Sequence, residues 1–177
     1  MPVVKTTGST DSATALLPDE LMNQKRPGRI GVARQFTWKE VKQLIAANRL
    51  ELLGRTTPEE LAYREEMELV REKHGSVVNY IVSVKLAGFI ADATEEYLLI
   101  PNDYPYALPE DTLHYIVWSK TDLSPGTVPD PPVEGIFTEA LDNQIGKGKY
   151  EWVWFVNPPH LQSIPDVVHG HLIVRKL

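Results

Sequence analysis

From Thr37 onward the hydrophobic positions recur at helical spacing, with Trp38, Val41, Leu44 and Ile45 forming an apolar stripe that ends near Asn48. Thr37 followed three residues later by Glu40 is a capping box, so a helix is predicted here. A second helix has a clearer start, with Thr57 as N-cap, Pro58 at N1 and Glu60 at N3. Tyr63, Met67 and Val70 repeat at helical spacing behind it, and His74-Gly75 supplies its end, where a cationic histidine would meet the C-terminal dipole. Ser76 caps a third segment in which Val77, Tyr80, Ile81 and Val84 share a helical side. Its β-branched content also fits a strand, helix is the preferred reading, and Gly88 is its expected end.

Beyond Glu95 the period shortens to two. Tyr97 to Ile100 is a short strand candidate, halted by the proline- and tyrosine-rich run from Pro101 to Asp111. In Thr112 to Ser119 the residues alternate, so Leu113, Tyr115 and Val117 share one side while His114, Ile116 and Trp118 share the other. Lys120 to Val133 reads as a proline-rich crossing loop, and Thr138 to Asn143 as a short helix. Two further strands, Tyr150 to Val156 and Val167 to Val174, are expected to be neighbours, with Asn157-Pro158-Pro159 breaking the first. Trp152 and Trp154 share a face, which Trp118 is expected to join as a pocket wall or as core bulk.

These elements predict an α+β fold, with N-terminal helices packed on a mostly antiparallel, twisted sheet. Parallel doubly wound topology is disfavoured because the strands cluster without alternating long helices. Residues 1–35, rich in Gly, Pro, Ser and Thr around the basic segment 25–29, read as an arm, and residues 36–177 as a single domain. Net charge is -6, with 18 Lys and Arg against 24 Asp and Glu, which disfavours a nucleic-acid partner. Cysteine is absent, which excludes thiolate nucleophiles, disulfides and Cys-ligated metal sites. No stretch of 18 apolar residues and no signal-peptide core is present, so no membrane partner is expected and cytoplasm is the default location. Oligomeric state is not legible.

Candidate chemistry gathers near the end of the chain. His169 and His171, two residues apart on a strand, point to one face, and Gly170 between them allows close approach on the other. Such a pair serves as acid/base or nucleophilic partners, as metal ligands with Asp103, Asp166 or His114, or as hydrogen-bonded core residues. Without cysteines and with Asp166 offset in strand parity, the expectation is a site with no metal and no cofactor. His169 and His171 are the candidate acid and base, Asp166 the group that orients them and Asn157 an oxygen-binding donor. His114, Trp118, Trp154, Tyr104, Tyr106 and Ser163 are candidate substrate-binding residues. Plainer roles remain for each: Asn157 in a turn, Ser163 and Asp166 satisfying local backbone, and the tryptophans filling a core. His160, on a loop, is expected to be exposed.

Three segments carry a resemblance: LGRTTPEELAYREEMELVREKHGSVVNYIV at 53–82, LLIPNDYPYALPEDTLHYIVWSK at 98–120 and WFVNPPHLQSIPDVVHGHLIVRK at 154–176. Their order and content resemble the fungal DUF3605 family, which includes proteins named N-acetylglucosamine-induced protein. A weaker likeness is to the histidine-triad superfamily, and it implies a histidine-triad-like fold and nucleotidyl or phosphoester chemistry. On that likeness His171 matches the nucleophile, His169 its upstream partner, and Ser163 and Asn157 the phosphate-side residues. Ile173 stands where the third histidine would fall, and Pro158-Pro159 replaces a glycine-rich turn that would donate N–H groups.

The leading expectation is a metal-independent lyase or isomerase/cyclase, using histidine acid/base chemistry to dehydrate, isomerise or cyclise a small apolar metabolite. The fungal secondary-metabolism setting is implied by the family resemblance alone. A histidine-triad-like hydrolase is the first alternative, and a non-catalytic module binding a ligand or protein through its Pro/Tyr-rich loops is the second.

Overall fold

The computed structural model describes residues 17–25, 28 and 30–177. Residues 1–16 of the expected arm, and parts of its basic segment, lie outside the described residues. The remainder of the arm is built into the protein. Helix α1 (Asp19–Asn23) buries Leu21, and Val32 is buried beside it and bridges to Thr56. Both belong to the apolar cluster under helix α2 (Trp38–Ala46).

Helix α2 starts at the expected capping box. Glu40 N–H donates to Thr37 Oγ1 at 3.3 Å, and Thr37 N–H donates to Glu40 Oε2 at 2.8 Å. The predicted stripe of Trp38, Val41, Leu44 and Ile45 is its buried face. Helix α3 (Thr57–His74) begins one residue earlier than the spacing predicts, with Thr56 and Glu59 forming the box. The sequence Thr-Thr-Pro-Glu-Glu offers two registers. Tertiary contacts choose between them, because the Thr57 hydroxyl donates to the Ile30 carbonyl at 2.6 Å and Glu60 is held by Arg55 and Arg64. Gly75, at φ 80°, takes the left-handed conformation that ends the helix.

The third segment is helical but interrupted. Helix α4 (Val77–Tyr80), capped by Ser76, runs into a π turn at Ile81–Lys85, closed by Leu86 N–H donating to the Ile81 carbonyl at 2.8 Å. The extra residue turns Ile81 and Leu86 inward and leaves Val84 exposed, off the side on which the spacing placed it. Helix α5 (Ala87–Ala91) follows, so Gly88 lies inside a helix and does not end one.

Strands β1 (Tyr97–Pro101) and β2 (Thr112–Ser119) fall where the alternation predicts. Helix α6 (Pro131–Gln144) is longer than expected and takes over the end of the predicted crossing loop. Prolines 131 and 132 occupy its first turn, where no N–H is required of them, and Asp130 before it accepts from Ser124 N–H at 2.9 Å. Strands β3 (Tyr150–Phe155) and β4 (His169–Lys176) are antiparallel neighbours. The sheet order is β1-β2-β4-β3, with every pairing antiparallel.

This is the α+β fold with N-terminal helices on an antiparallel sheet. One face carries His114, Ile116, Trp118, Phe155, His171 and Ile173, and is covered by α2 and by the segment from α4 to α5. The other carries Tyr115, Val117, Trp154, Leu172 and Val174, and α6 covers it with Val133, Phe137 and Leu141. Trp152 and Trp154 therefore do not join Trp118. Trp154 stacks on Phe137 at 5.7 Å, on the far side of the sheet from the histidines, as core and not as pocket wall. Among the described residues, no helix is long and apolar enough to cross a membrane.

Candidate functional site

His171 and His169 project from β4 to the same face, as their spacing predicts, and His114 reaches them diagonally from β2. His114 Nε2 lies 3.0 Å from His171 Nδ1, and His171 Nε2 lies 3.3 Å from the Asn157 side-chain amide. All four residues are buried. Phe155 stacks on His171 at 4.6 Å and 6°, and Tyr106 stacks on it at 5.5 Å.

Proton positions follow from the ends of this chain. The Tyr106 backbone N–H can only donate, and it points at His114 Nδ1 from 3.2 Å. The Asn102 amide lies 3.4 Å from the same nitrogen. His114 Nδ1 is therefore the acceptor, and in the neutral ring Nε2 carries the proton and donates to His171 Nδ1. His171 in turn carries its proton on Nε2 and needs an acceptor at Asn157. An amide flip supplies one, with Oδ1 facing both His171 Nε2 and the Tyr106 hydroxyl 3.4 Å away, and Asn157 lines the cavity. Gln162 holds the loop in place, its Nε2 donating to the Asn157 carbonyl at 2.7 Å.

His169 has the opposite tautomer. Its Nδ1 lies 2.7 Å from the Val167 carbonyl, which can only accept, so the proton sits on Nδ1 and Nε2 keeps its lone pair. No described residue bonds that Nε2, and His169 lines the cavity. Its ring packs against Trp118 at 5.0 Å.

Burial pushes His114 down to about 3, helped by the Arg55 charge. His171 lies well below its ordinary value, first through burial and then through His114, His169 and Arg55. Burial also lowers His169, partly opposed by its bond to Val167. The histidines therefore do not keep their ordinary value near 6.5, and the three rings are neutral at physiological pH because the fold removes them from water.

A family model described as "Protein of unknown function (DUF3605)" matches residues 37–175. The chain belongs to the DUF3605 family. It is 21% identical to N-acetylglucosamine-induced protein 1 of Candida albicans over 85% of this chain and 72% of the relative. It is 26% identical to uncharacterized protein YPL067C of Saccharomyces cerevisiae over 80% of each. The crystal structure of HTC1 superposes with a TM-score of 0.54 at 22% identity, covering 80% of this chain and 86% of that one, a likeness of fold alone.

In this DUF3605 chain, several of the residues singled out from the sequence converge. His114, Trp118, Tyr106, Asn157, His169 and His171 surround one region, with Tyr104 on the wall of the recess beside Trp118. Ser163 is exposed at the rim. Asp166 is exposed and bonds neither histidine, because the chain turns before β4 and presents the Val167 carbonyl in its place. His160 is exposed, as expected. Among the described residues, no three His, Asp or Glu side chains form a group that could hold a metal ion. Arg55, Tyr63, Asn102 and Phe155 were missed. Arg55 lies in the first of the three family-like segments, directly before a helix cap, but the contacts that hold it beside the histidines, with Tyr63, Glu60 and the Tyr104 carbonyl, form only in the folded chain.

Proposed function

We propose that this protein catalyses proton transfer on a small, largely apolar molecule, as a dehydratase, isomerase or cyclase that needs no metal. The observation that carries the reading is the His169 tautomer. Its Nδ1–H is anchored to a main-chain carbonyl, leaving a lone pair on Nε2 at the cavity wall.

In this reading His169 Nε2 removes a proton from a carbon next to a carbonyl or hydroxyl-bearing centre. Asn157 Nδ2 donates to the oxygen on which charge develops. The imidazolium then returns the proton to another carbon, or delivers it to a departing hydroxyl, giving isomerisation or loss of water. A lowered pKa suits this cycle, because a buried imidazolium gives up its proton readily. His114 and His171 are positioning residues: they pass the direction set by Tyr106 N–H to the Asn157 amide.

The histidine-triad reading ranks second. A carbonyl-anchored histidine with a free Nε2 is also a competent nucleophile. The likeness assigns that role to His171, however, whose Nε2 carries a proton in the chain of hydrogen bonds, and Pro158-Pro159 has no N–H for a phosphate.

The test is solvent exchange. The protein is incubated in D2O with a fungal small-molecule extract, and deuterium uptake into individual compounds is followed by mass spectrometry. One compound should gain deuterium with wild-type protein and lose about 10²-fold or more of that rate with His169→Ala. Equal exchange with a folded His169→Ala protein would refute the assignment.

A further inference from the structure

The cavity beside the histidines has two chemically different ends, and proton transfer accounts for neither. One is a narrow recess of about 70 Å³ whose wall is mostly apolar, with Met67, Val77, Ile81, Ile116 and Trp118, and which also meets Asn102 and the Lys85–Asp103 ion pair. The other, of about 270 Å³, is walled by Lys25, Arg55, Arg64 and Gln162. Arg55, Tyr63, Ser163, His169 and His171 border both, so the histidines stand where the two ends meet.

The polar end is cationic on a chain of net charge -6. Among the described residues that line it, Lys25, Arg55 and Arg64 stand against one carboxylate, Glu60. That carboxylate is already engaged, accepting from Arg55 Nη1 at 3.1 Å and from Arg64 Nε at 3.0 Å. Lys25 Nζ donates to the Leu53 carbonyl at 3.3 Å and has two further N–H bonds to offer.

Arg55 is the fixed part of this end. Its side chain is only 14% exposed, its Nε donates to the Tyr104 carbonyl at 3.0 Å, and its guanidinium lies 4.0 Å from the Tyr63 ring centroid. These contacts leave Nη2 without a partner among the described residues. A guanidinium held in one plane by three neighbours keeps its Nη2 N–H groups in a fixed direction, from which they can donate a charge-assisted hydrogen bond to one carboxylate oxygen.

We propose that the site takes an amphiphilic acid: a small molecule whose apolar body enters the recess and whose carboxylate is bound by Arg55 and Lys25. The reacting carbon and oxygen are thereby set beside His169 and Asn157. This deepens the proton-transfer reading and rests on it for its catalytic consequence, whereas the binding preference stands separately. A monoanionic carboxylate suits the site better than a phosphate dianion, since Glu60 adjoins the guanidinium and its charge opposes a second negative charge.

Calorimetric titration with phenylacetate through 6-phenylhexanoate, their primary amides and phenyl phosphate tests the proposal. At least one acid should bind about tenfold or more tightly than its amide. In the Lys25→Gln/Arg55→Gln variant, with its fold checked by near-UV circular dichroism, that preference should fall to near unity. Should the double variant not fold, Lys25→Gln alone carries the test, because Lys25 is exposed, and the preference should still fall by several-fold. Equal binding of acid and amide at every chain length, binding of none, a preference untouched by substitution, or tighter binding of phenyl phosphate would each overturn the proposal. His169→Ala separates the two ideas. Retained acid preference with unchanged deuterium exchange removes the proton-transfer reading alone, and lost exchange without any acid preference in wild type removes the amphiphilic acid alone.

Discussion

Three buried neutral imidazoles differ in what they can do because of where each proton sits. The hydrogen-bond chain predicts Nε2–H tautomers for His114 and His171 and an Nδ1–H tautomer for His169. Imidazole 15N chemical shifts at pH 7 should show this split, and an Nδ1–H form of His171 would break the relay. Burial also predicts a pH dependence of stability. His114 has a folded value near 3 against an ordinary 6.5, so the unfolded chain binds the extra proton first as pH falls. Stability from this residue is intact above 6.5 and is lost progressively below it, by about 2 kcal/mol at pH 5. Urea unfolding at pH 7 and pH 5 should show a smaller difference for His114→Gln than for wild type. Equal differences would mean that His114 is not held neutral. The shared face of His169 and His171 was legible in the sequence, because period two is a property of any strand. The role of Asp166 was not, because the turn at Val167 and not nearness in sequence decides which acceptor meets His169 Nδ1.

Elements met the same division. Gly170 reads in sequence as a place of close approach, and the structure names the partner: a Cβ there would stand 2.2 Å from the Trp154 ring. Trp154 cannot yield, since Phe137 of α6 stacks on it from behind. Gly170→Ala should therefore lower stability by about 3 kcal/mol in denaturant unfolding, and the same substitution should cost less in a Trp154→Leu background, where the clash is relieved. An unchanged midpoint for Gly170→Ala would contradict this packing. Helix α2 was legible because its cap and stripe are local. The start of α3 was not, because two Thr-x-x-Glu registers are locally equivalent and contacts to Ile30, Arg55 and Arg64 separate them. The proline pair at 131 and 132 suggested a loop, although prolines in a first turn begin a helix as readily as they prevent one.

At the scale of the molecule, two layers of helix enclose the sheet, and the part of the arm that is described belongs to the first layer. Leu21 is 1% exposed, and Leu21→Ala should cost about 2–4 kcal/mol by chemical denaturation. A passive leader would leave the unfolding midpoint unmoved. The α+β class, the four strands to within a residue or two, the face of β2 that holds His114, and the pairing of His169 with His171 on one side were legible from the residues alone. Those features follow from local periodicity, which the backbone imposes wherever a strand or helix forms. Packing alone placed Trp154 across the sheet from the histidines, set the His171 tautomer through His114 from the Tyr106 backbone, and brought Arg55 and Lys25 to the same cavity. Each of these joins segments distant in sequence, and the direction of a hydrogen bond or the neighbour of a buried charge exists only once strand order and layer packing have brought its partners together.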